Sequence, residues 1–267
     1  AENNLSSAMV DVGLCYEFGR GVEKNPTEAF NWYKKAAELK NPHGTRNLGI
    51  CYRDGFGVAK NDKEAFRYFS LAVQYGSKFA INDLGMCYEF GRGVEKNYGE
   101  AFNCYKKAAE VGDIYAYRNL GICYRDGIGV IKNEELAFQW FEKGAKSGLV
   151  TSMVSLGICY DYGRGVAKDY TKAAEWYEKA AKLNNAVGCR NLGLLYRDGL
   201  GVIKNHTKCV EYLRKAIDLG NVNALVDLGV CFEYGYGVTK DNYQAFNLYE
   251  KAAKQNNKTG LRNLGLL

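Results

Sequence analysis

The residues best placed for chemistry form a Gly-x-Gly-Val tetrapeptide that occurs seven times. Its first glycine recurs every 36 residues, at positions 19, 55, 91, 127, 163, 199 and 235. Glycine-rich loops can cradle phosphate, but a dinucleotide site needs Gly-x-Gly-x-x-Gly after a strand, and a P-loop needs Gly-Lys-Ser or Gly-Lys-Thr. These loops have neither sequence, and a helical pattern precedes each of them. We therefore interpret them as structural turns.

Cysteine and histidine are the next candidates, for metal binding or nucleophilic catalysis. Most of the nine cysteines share one repeat position: Cys15, Cys51, Cys87, Cys123, Cys159 and Cys231. Stacked helices lie about 8–10 Å apart, and a disulfide needs Cα atoms within about 7 Å. We expect these ladder cysteines to be free, buried thiols, which favours a reducing compartment.

No motif in the sequence has the residue types and spacing of a catalytic or metal-binding site. The cysteines form no Cys-x-x-Cys pair or Cys/His cluster. His43 and His206 fall at different positions of the repeat, outside any nucleophile–base arrangement. The sequence therefore predicts no catalytic residues, no metal, no cofactor and no enzymatic activity.

Arginine and asparagine mark a possible binding surface. An Arg-Asn pair recurs every 72 residues, and a second arginine follows seven residues later on the same helix face. The predicted partner-binding residues are Arg46, Asn47, Arg53, Arg118, Asn119, Arg125, Arg190 and Asn191. Two interpretations stay open. These arginines could form ion pairs with Asp11, Glu17, Asp83 and Glu89 of adjoining repeats, or they could bind an acidic peptide.

The residue between the two loop glycines alternates between arginine and an apolar side chain. The series is Arg20, Phe56, Arg92, Ile128, Arg164, Leu200 and Tyr236. Loop tips are normally exposed, so Phe56, Ile128 and Leu200 could be assembly contacts. Alternatively, they could fold back onto the aromatic residues of the next repeat.

Charge and hydropathy limit the partners. The formal net charge is +6, and a lysine precedes every predicted helix cap. Lysine ladders can follow a phosphate backbone, but acidic residues lie nearby, so a solvated face is the simpler interpretation. We predict no nucleic-acid partner. We also predict no membrane insertion, because no apolar run approaches the roughly 20 residues needed to cross a bilayer.

The elements that position these residues can be derived from one unit, residues 37–72. Pro42 opens a first helix, which contains Gly49 and ends at Gly55, where a left-handed cap is expected. Asn61 then caps a second helix, and Glu64 would complete a capping box. A glycine inside a helix costs about 1 kcal/mol relative to alanine. Its recurrence in every copy therefore indicates close approach of another element.

These units predict an all-α fold, a right-handed α/α superhelix of about seven 36-residue helix–loop–helix repeats with a concave and a convex surface. Alternate units share motifs, so the organising unit has 72 residues. Ala1-Glu2 matches the end of a second helix, and Leu267 falls inside a first helix. We expect residues 1–267 to be a single array with partial repeats at both ends, and a segment of a longer protein.

At these motifs the chain resembles the Sel1-like repeat family, a relative of the tetratricopeptide repeats. The resemblance is carried by Leu-Gly-x-x-Tyr-x-x-Gly-x-Gly-Val at residues 48–58 and by the Ala-rich second helix at 61–73, with their copies along the chain. It implies an adaptor or scaffold role. Some bacterial relatives are secreted, with a disulfide in each repeat. Here Cys189 has one matching position, but the other holds Ala181.

Two functions follow as hypotheses. The first is a non-enzymatic interaction scaffold that binds a peptide or protein on the concave face. The alternative is a structural array that self-associates into a filament or lattice. The expected location is cytoplasmic, because the cysteines are unpaired; a secreted or cell-surface location is the alternative.

Overall fold

The computed structural model describes residues 2–267, and every regular element in them is an α-helix. Ala1, part of the expected N-terminal match, lies outside the described residues. The helices are α1 (Glu2–Phe18), α2 (Pro26–Glu38), α3 (Pro42–Asp54), α4 (Asp62–Gln74), α5 (Ala80–Phe90), α6 (Tyr98–Glu110), α7 (Ile114–Asp126), α8 (Glu134–Lys146), α9 (Val150–Tyr162), α10 (Tyr170–Lys182), α11 (Ala186–Asp198), α12 (His206–Asp218), α13 (Val222–Tyr234), α14 (Asn242–Lys254) and α15 (Lys258–Leu264).

Odd-numbered helices are the first helices of the predicted hairpins, and even-numbered helices are the second helices. Odd repeats begin with α1, α5, α9 and α13; even repeats begin with α3, α7, α11 and α15. The chain divides into two compact units, the first ending at Asn133 and the second beginning at Glu134. The first contains α1–α7 and the second α8–α15. The all-α repeat architecture is therefore confirmed.

The loop glycines have the conformations that the sequence predicts. Gly55 caps α3 with φ 73° and ψ 33°, and Gly57 follows with φ 70°. Residues other than glycine rarely adopt this left-handed conformation, because their Cβ atom makes it sterically unfavourable. Val58 then packs against the core around Tyr33 and Leu48, so the loop turns its valine inward.

The second helices α2, α4, α6, α10, α12 and α14 begin at asparagine or aspartate caps. The Asn61 side chain accepts hydrogen bonds from the backbone N–H groups of Lys63 and Glu64, at 3.1 and 3.2 Å. The predicted capping box is only half formed. The Asn61 N–H donates to the Tyr52 carbonyl instead, and the Glu64 carboxylate pairs with Arg67 at 2.7 Å.

In the odd repeats, an aromatic ring explains why the first helix contains a glycine. A Cβ added at Gly85 would overlap the ring of Tyr105, which is completely buried. The same relation joins Gly13 to Tyr33, Gly157 to Tyr177 and Gly229 to Tyr249. The predicted close approach is therefore confirmed, and the approaching group is a side-chain ring of the paired second helix.

Successive repeats within each unit are joined by aromatic contacts. Phe30 of α2 meets Tyr52 of α3 edge to face, with ring centroids 5.5 Å apart. Phe66 repeats this contact with Tyr88 at the same distance. Edge-to-face pairs add about 0.5–1.5 kcal/mol to the area that they bury, so they stabilise the stacking of one hairpin on the next.

The first helix differs from its sequence prediction. Residues 1–2 were expected to end a second helix, but α1 runs without a break from Glu2. At the corresponding turn after α2, Lys40 has φ 55°, and the Asn41 N–H donates to the Ala36 carbonyl.

Candidate functional site

The predicted binding residues lie on the first helices of the even repeats. Helix α3 contains Arg46, Asn47 and Arg53, and α7 and α11 contain the corresponding residues. Seven residues are almost two helical turns, so the two arginines of a helix share one side. We call this side of each of the three helices the arginine face. In the first unit it has Arg46, Asn47, Arg53, Arg118, Asn119 and Arg125; in the second it has Arg190, Asn191 and the equivalent Arg197, which was not in the predicted set.

Odd repeats have an acidic residue where the even repeats have their second arginine, and that carboxylate binds a buried tyrosine. The Tyr105 hydroxyl donates to Glu89 at 2.5 Å, and Tyr33 donates to Glu17 at 2.5 Å. Burial, followed by the bond to Glu89, raises the pKa of Tyr105 well above its usual value. Glu17 and Glu89 thus bind tyrosines rather than the arginines that one sequence interpretation assigned to them.

Even repeats replace this tyrosine with an apolar residue such as Phe69 or Leu213, and their arginines bind aspartates. Arg46 Nε donates to the Asp83 carboxylate at 2.5 Å, and that carboxylate is only 2% exposed. Arg53 Nη1 lies 3.7 Å from the same aspartate. The 72-residue period is therefore an alternation of tyrosine–carboxylate and arginine–carboxylate contacts.

Part of the arginine face is engaged within the chain. Arg190 Nε donates to Asp227 at 2.5 Å, which repeats the contact of Arg46. Of the ion-pair partners that one sequence interpretation named, Asp83 is found paired with an arginine, and Asp227 is an equivalent partner that it did not name. The sequence interpretation missed a second partner: Arg53 binds the adjacent Asp54 through two nitrogens, at 2.8 and 2.7 Å. The Arg-Asp dipeptide, which recurs in the even repeats, was the available signal.

The asparagines of the series mostly support the tyrosines. Hydrogen bonds from Asn47 to Tyr33 and from Asn191 to Tyr177 oppose the rise in the tyrosine pKa. Asn119 differs, because its amide donates to Asn82 Oδ1 at 2.9 Å. These asparagines are positioned as internal contacts of the array.

Arg118 departs from the pattern of its two equivalents. Its Nε is buried and has no hydrogen-bond partner, whereas Nε of Arg46 and of Arg190 binds an aspartate. At the sequence position that corresponds to those aspartates the chain has Ser155, whose hydroxyl donates to the Thr151 carbonyl at 3.1 Å.

The electrostatics around Arg118 are unfavourable for a lone cation. Burial and then repulsion from Arg125 lower the pKa of the Arg118 guanidinium, while Glu89 opposes that change. The residue as a whole is half-buried, so part of its side chain reaches solvent. A carboxylate bound there would supply the charge that Asp83 gives to Arg46.

A polar cavity of about 290 Å³ lies beside the corresponding arginines of the second unit. Its lining includes the cations Arg190, Arg197 and Lys168, the carboxylates Asp161 and Asp198, and the rings of Tyr162 and Tyr170. The guanidinium groups provide charge and the tyrosines provide flat apolar surface. Both guanidinium groups are already paired, Arg190 with Asp227 and Arg197 with Asp198. The cavity therefore suits apolar side chains through its tyrosines, and its charges are largely balanced within the chain.

The loop residues that could mediate assembly are turned partly inward. Phe56 packs against the core around Tyr33 and Leu48, and Ile128 and Leu200 are half-buried. Tyr33 belongs to the preceding repeat, so Phe56 folds inward as one interpretation expected, but not onto the next repeat. In odd repeats the loop arginine lies over an aromatic residue two positions earlier. Arg92 sits 5.1 Å from the centroid of Phe90, which is 53% exposed. The arginine–apolar alternation thus reflects different local contacts in odd and even repeats.

Other functional chemistry is sparse in the part of the chain that the structure describes. No group of three or more histidine, cysteine, aspartate or glutamate side chains there could hold a metal ion. His206 contacts the Tyr236 ring at 4.8 Å, and His43 lines a separate cavity beside Asn41. Of the helices in residues 2–267, none is both long and apolar enough to cross a membrane.

The buried thiols predict a loss of stability at alkaline pH. Burial is the main reason why the pKa of Cys51, Cys87 and Cys123 rises from 9.0 to about 12. Their contribution is complete below the unfolded-state pKa and is lost as pH rises towards the native-state pKa. We expect the free energy of unfolding to fall by about 1 kcal/mol per thiol between about pH 9 and 10. Urea unfolding of Cys87→Ala should show a correspondingly smaller fall; an identical pH dependence would contradict this.

Comparison with known proteins agrees with the repeat pattern. The Sel1 repeat family model matches residues 6–41, 42–76, 78–113, 114–149, 150–185, 186–221 and 222–257. A search of the curated proteins found no match.

Solved structures include several similar chains. A protective antigen of uropathogenic Escherichia coli with an SLR fold is 34% identical, with a TM-score of 0.78. The match covers 100% of the present chain but only 57% of that antigen. A Sel1 repeat protein from Oxalobacter formigenes is 27% identical over 94% of this chain and 97% of its own, with a TM-score of 0.81. Because the family model matches the chain over nearly its whole length, the chain belongs to the Sel1 repeat family.

Proposed function

We propose that this protein is a non-enzymatic scaffold that binds an acidic segment of a protein partner on its arginine face, the surface predicted to be concave. Sel1 repeat proteins generally mediate protein–protein interactions, and the repeat is typically a non-catalytic scaffold. The family therefore supports a protein partner, and the chemistry of the arginine face supports an acidic one.

The observation that carries the proposal is the unpartnered Nε of Arg118. Its equivalents Arg46 and Arg190 bind carboxylates of this chain, so the same position in the repeat is suited to a carboxylate ligand. A guanidinium gains charge-assisted hydrogen bonds when it binds a carboxylate. A glutamate or aspartate of a partner would fill this role at Arg118.

Neighbouring groups can extend the contact beyond one charge. Arg125 lies two turns along the same helix face and also interacts with Arg118 electrostatically. Phe90, Lys96 and Tyr98 occupy the sequence positions that line the cavity beside Arg190 in the second unit. Phe90 and Tyr98 are 53% and 46% exposed. An acidic segment with interspersed apolar residues fits this mixture of cations and rings.

Arg118→Gln should weaken the binding of an acidic peptide by about tenfold or more, since a hydrogen bond to a charged group contributes about 1.5–3 kcal/mol. The measurement is fluorescence anisotropy with a fluorescein-labelled oligoglutamate, and oligoglutamine serves as the uncharged probe. Added salt should weaken the oligoglutamate complex.

Arg67→Gln is the matched control. Arg67 is an exposed arginine on the second helix α4, where it pairs with Glu64, and its loss removes the same charge from another surface. We expect little change in oligoglutamate binding for this variant. Equal weakening by both variants would mean that only net charge matters and would overturn the proposed site.

We also propose a reducing, cytoplasmic location, because all nine cysteines are free thiols. Self-association through Phe56, Ile128 and Leu200 stays a prediction, and the partial burial of these side chains does not favour it.

A further inference from the structure

One position in the second helices breaks a uniform alanine series. In the other second helices this position holds a buried alanine. The alanines are Ala29, Ala65, Ala101, Ala137, Ala173 and Ala245. In α12 the position holds Cys209, which is also fully buried. The exchange adds a sulfur atom at the contact between α12 and the next first helix.

The added sulfur lies against a ladder cysteine. Elsewhere the alanine shares a core cluster with the ladder cysteine 22 residues later, as Ala29 does with Cys51 and Ala65 with Cys87. Cys209 has the same spacing to Cys231 on α13, and the two Sγ atoms are 3.9 Å apart. Both side chains are completely buried. The two thiols therefore meet across a boundary between consecutive repeats of one compact unit.

We propose that Cys209 and Cys231 are an oxidation site, which forms an intramolecular disulfide between α12 and α13 when the protein meets a peroxide. The Sγ atoms must approach from 3.9 Å to about 2.05 Å. Rotation of the side chains and a small shift of the two helices would allow this. The expectation that ladder cysteines do not pair with one another is unaffected, since Cys209 stands outside the ladder.

The reaction balances with hydrogen peroxide as the oxidant. The Cys231 thiolate attacks one peroxide oxygen and the O–O bond breaks, which leaves a sulfenic acid and a hydroxide that takes up a proton as water. The Cys209 sulfur then attacks the Cys231 sulfur. The S–O bond breaks, the S–S bond forms, and the Cys209 proton leaves with the hydroxyl group as a second water. Two thiols are oxidised by two electrons in total, and one peroxide is reduced by two.

The surroundings favour Cys231 as the attacking sulfur. The contact with the Cys209 thiol and then the charge of Arg197 lower the pKa of Cys231, while burial and Asp227 oppose them. Because both thiols are buried, the oxidant must enter through local opening of the α12–α13 contact. We therefore expect oxidation to be slower than that of the half-buried Cys15 and Cys104.

The test uses the full chain with Cys15→Ser and Cys104→Ser, so that half-buried thiols do not react first. After reduction and removal of the reductant, the protein is treated with hydrogen peroxide, unfolded, and alkylated with iodoacetamide. Mass spectrometry of proteolytic fragments should identify a peptide pair joined through Cys209 and Cys231. The disulfide should raise Tm by about 5 °C, and dithiothreitol should reverse the shift.

Adding Cys209→Ala provides the matched control, because alanine is the residue that the other second helices have there. This variant should fold, form no disulfide and show no peroxide-dependent rise in Tm. Complete alkylation of Cys209 and Cys231 after oxidation would overturn the proposal. So would sulfinic acid at Cys231 without a disulfide, or a disulfide that joins either cysteine to another one.

Discussion

Gly93→Ala is expected to lower the free energy of unfolding by about 3–5 kcal/mol, the range of severe backbone and packing conflicts. Gly93 is the second glycine of a Gly-x-Gly loop and has φ +72°, where alanine is strained. An alanine Cβ would also overlap the backbone carbonyl of Asp62, at the start of α4. The loop of one repeat thus rests directly on the second helix of the preceding repeat.

Gly21→Ala separates these two causes. Gly21 has the same φ of +72°, but nothing lies within 4 Å of an added Cβ. Only the backbone strain remains, so the expected loss is about 1 kcal/mol. Urea unfolding of both variants measures the difference. Similar losses at the two glycines would show that loop docking between repeats is not what makes Gly93 necessary.

Asp83→Asn is expected to cost about 3 kcal/mol, because it breaks a largely buried ion pair and leaves cations without their partner. The Asp83 carboxylate is 2% exposed. It binds Arg46 and lies near Arg53, whose side chains are 29% and 25% exposed. Asparagine keeps the shape of the side chain but removes its charge. The free energy of unfolding from urea titration gives the size of the loss.

Asp54→Asn is the control for that measurement. Asp54 forms two hydrogen bonds with Arg53, yet its side chain is 50% exposed. Exposed ion pairs contribute about 0–1 kcal/mol, so we expect a loss below about 1 kcal/mol. If Asp54→Asn is as costly as Asp83→Asn, burial does not decide which carboxylate holds the repeats together.

Local signals explain why the hairpins could be predicted from sequence. Gly55 and Asn61 act on the residues next to them, so a short motif is enough to indicate a cap. The glycine at position 85 also indicated close packing, although its partner Tyr105 lies 20 residues away. The capping box failed at Glu64 because Arg67, one helical turn further on, competes for the carboxylate.

The finer structure of the site depends on contacts between repeats. The sequence raised ion pairing of Arg46 with Asp83 as one of two options, but it could not choose between that option and a free arginine. The choice depends on how helices of adjacent repeats are aligned. Cys209 was missed for a related reason: its exchange for alanine acquires meaning only when the helix that faces it is known.

Arg118 shows most clearly what the structure adds. The sequence grouped it with Arg46 and Arg190 as equal members of a series. It also showed Ser155 at the repeat position where Asp83 and Asp227 stand. Only the hydrogen-bond partners separate one unpartnered Nε from two that bind aspartates. The proposed function rests on this difference between otherwise matching copies.

The most direct test observes the arginine Nε–H groups by NMR in protein labelled with ¹⁵N-arginine, with Arg118→Gln used to assign the Arg118 signal. Oligoglutamate is then added. The expected result is that the Arg118 signal shifts and saturates, while the signals of Arg46 and Arg190, which already bind aspartates, stay in place. An unchanged Arg118 signal, or equal shifts of all three, would contradict it.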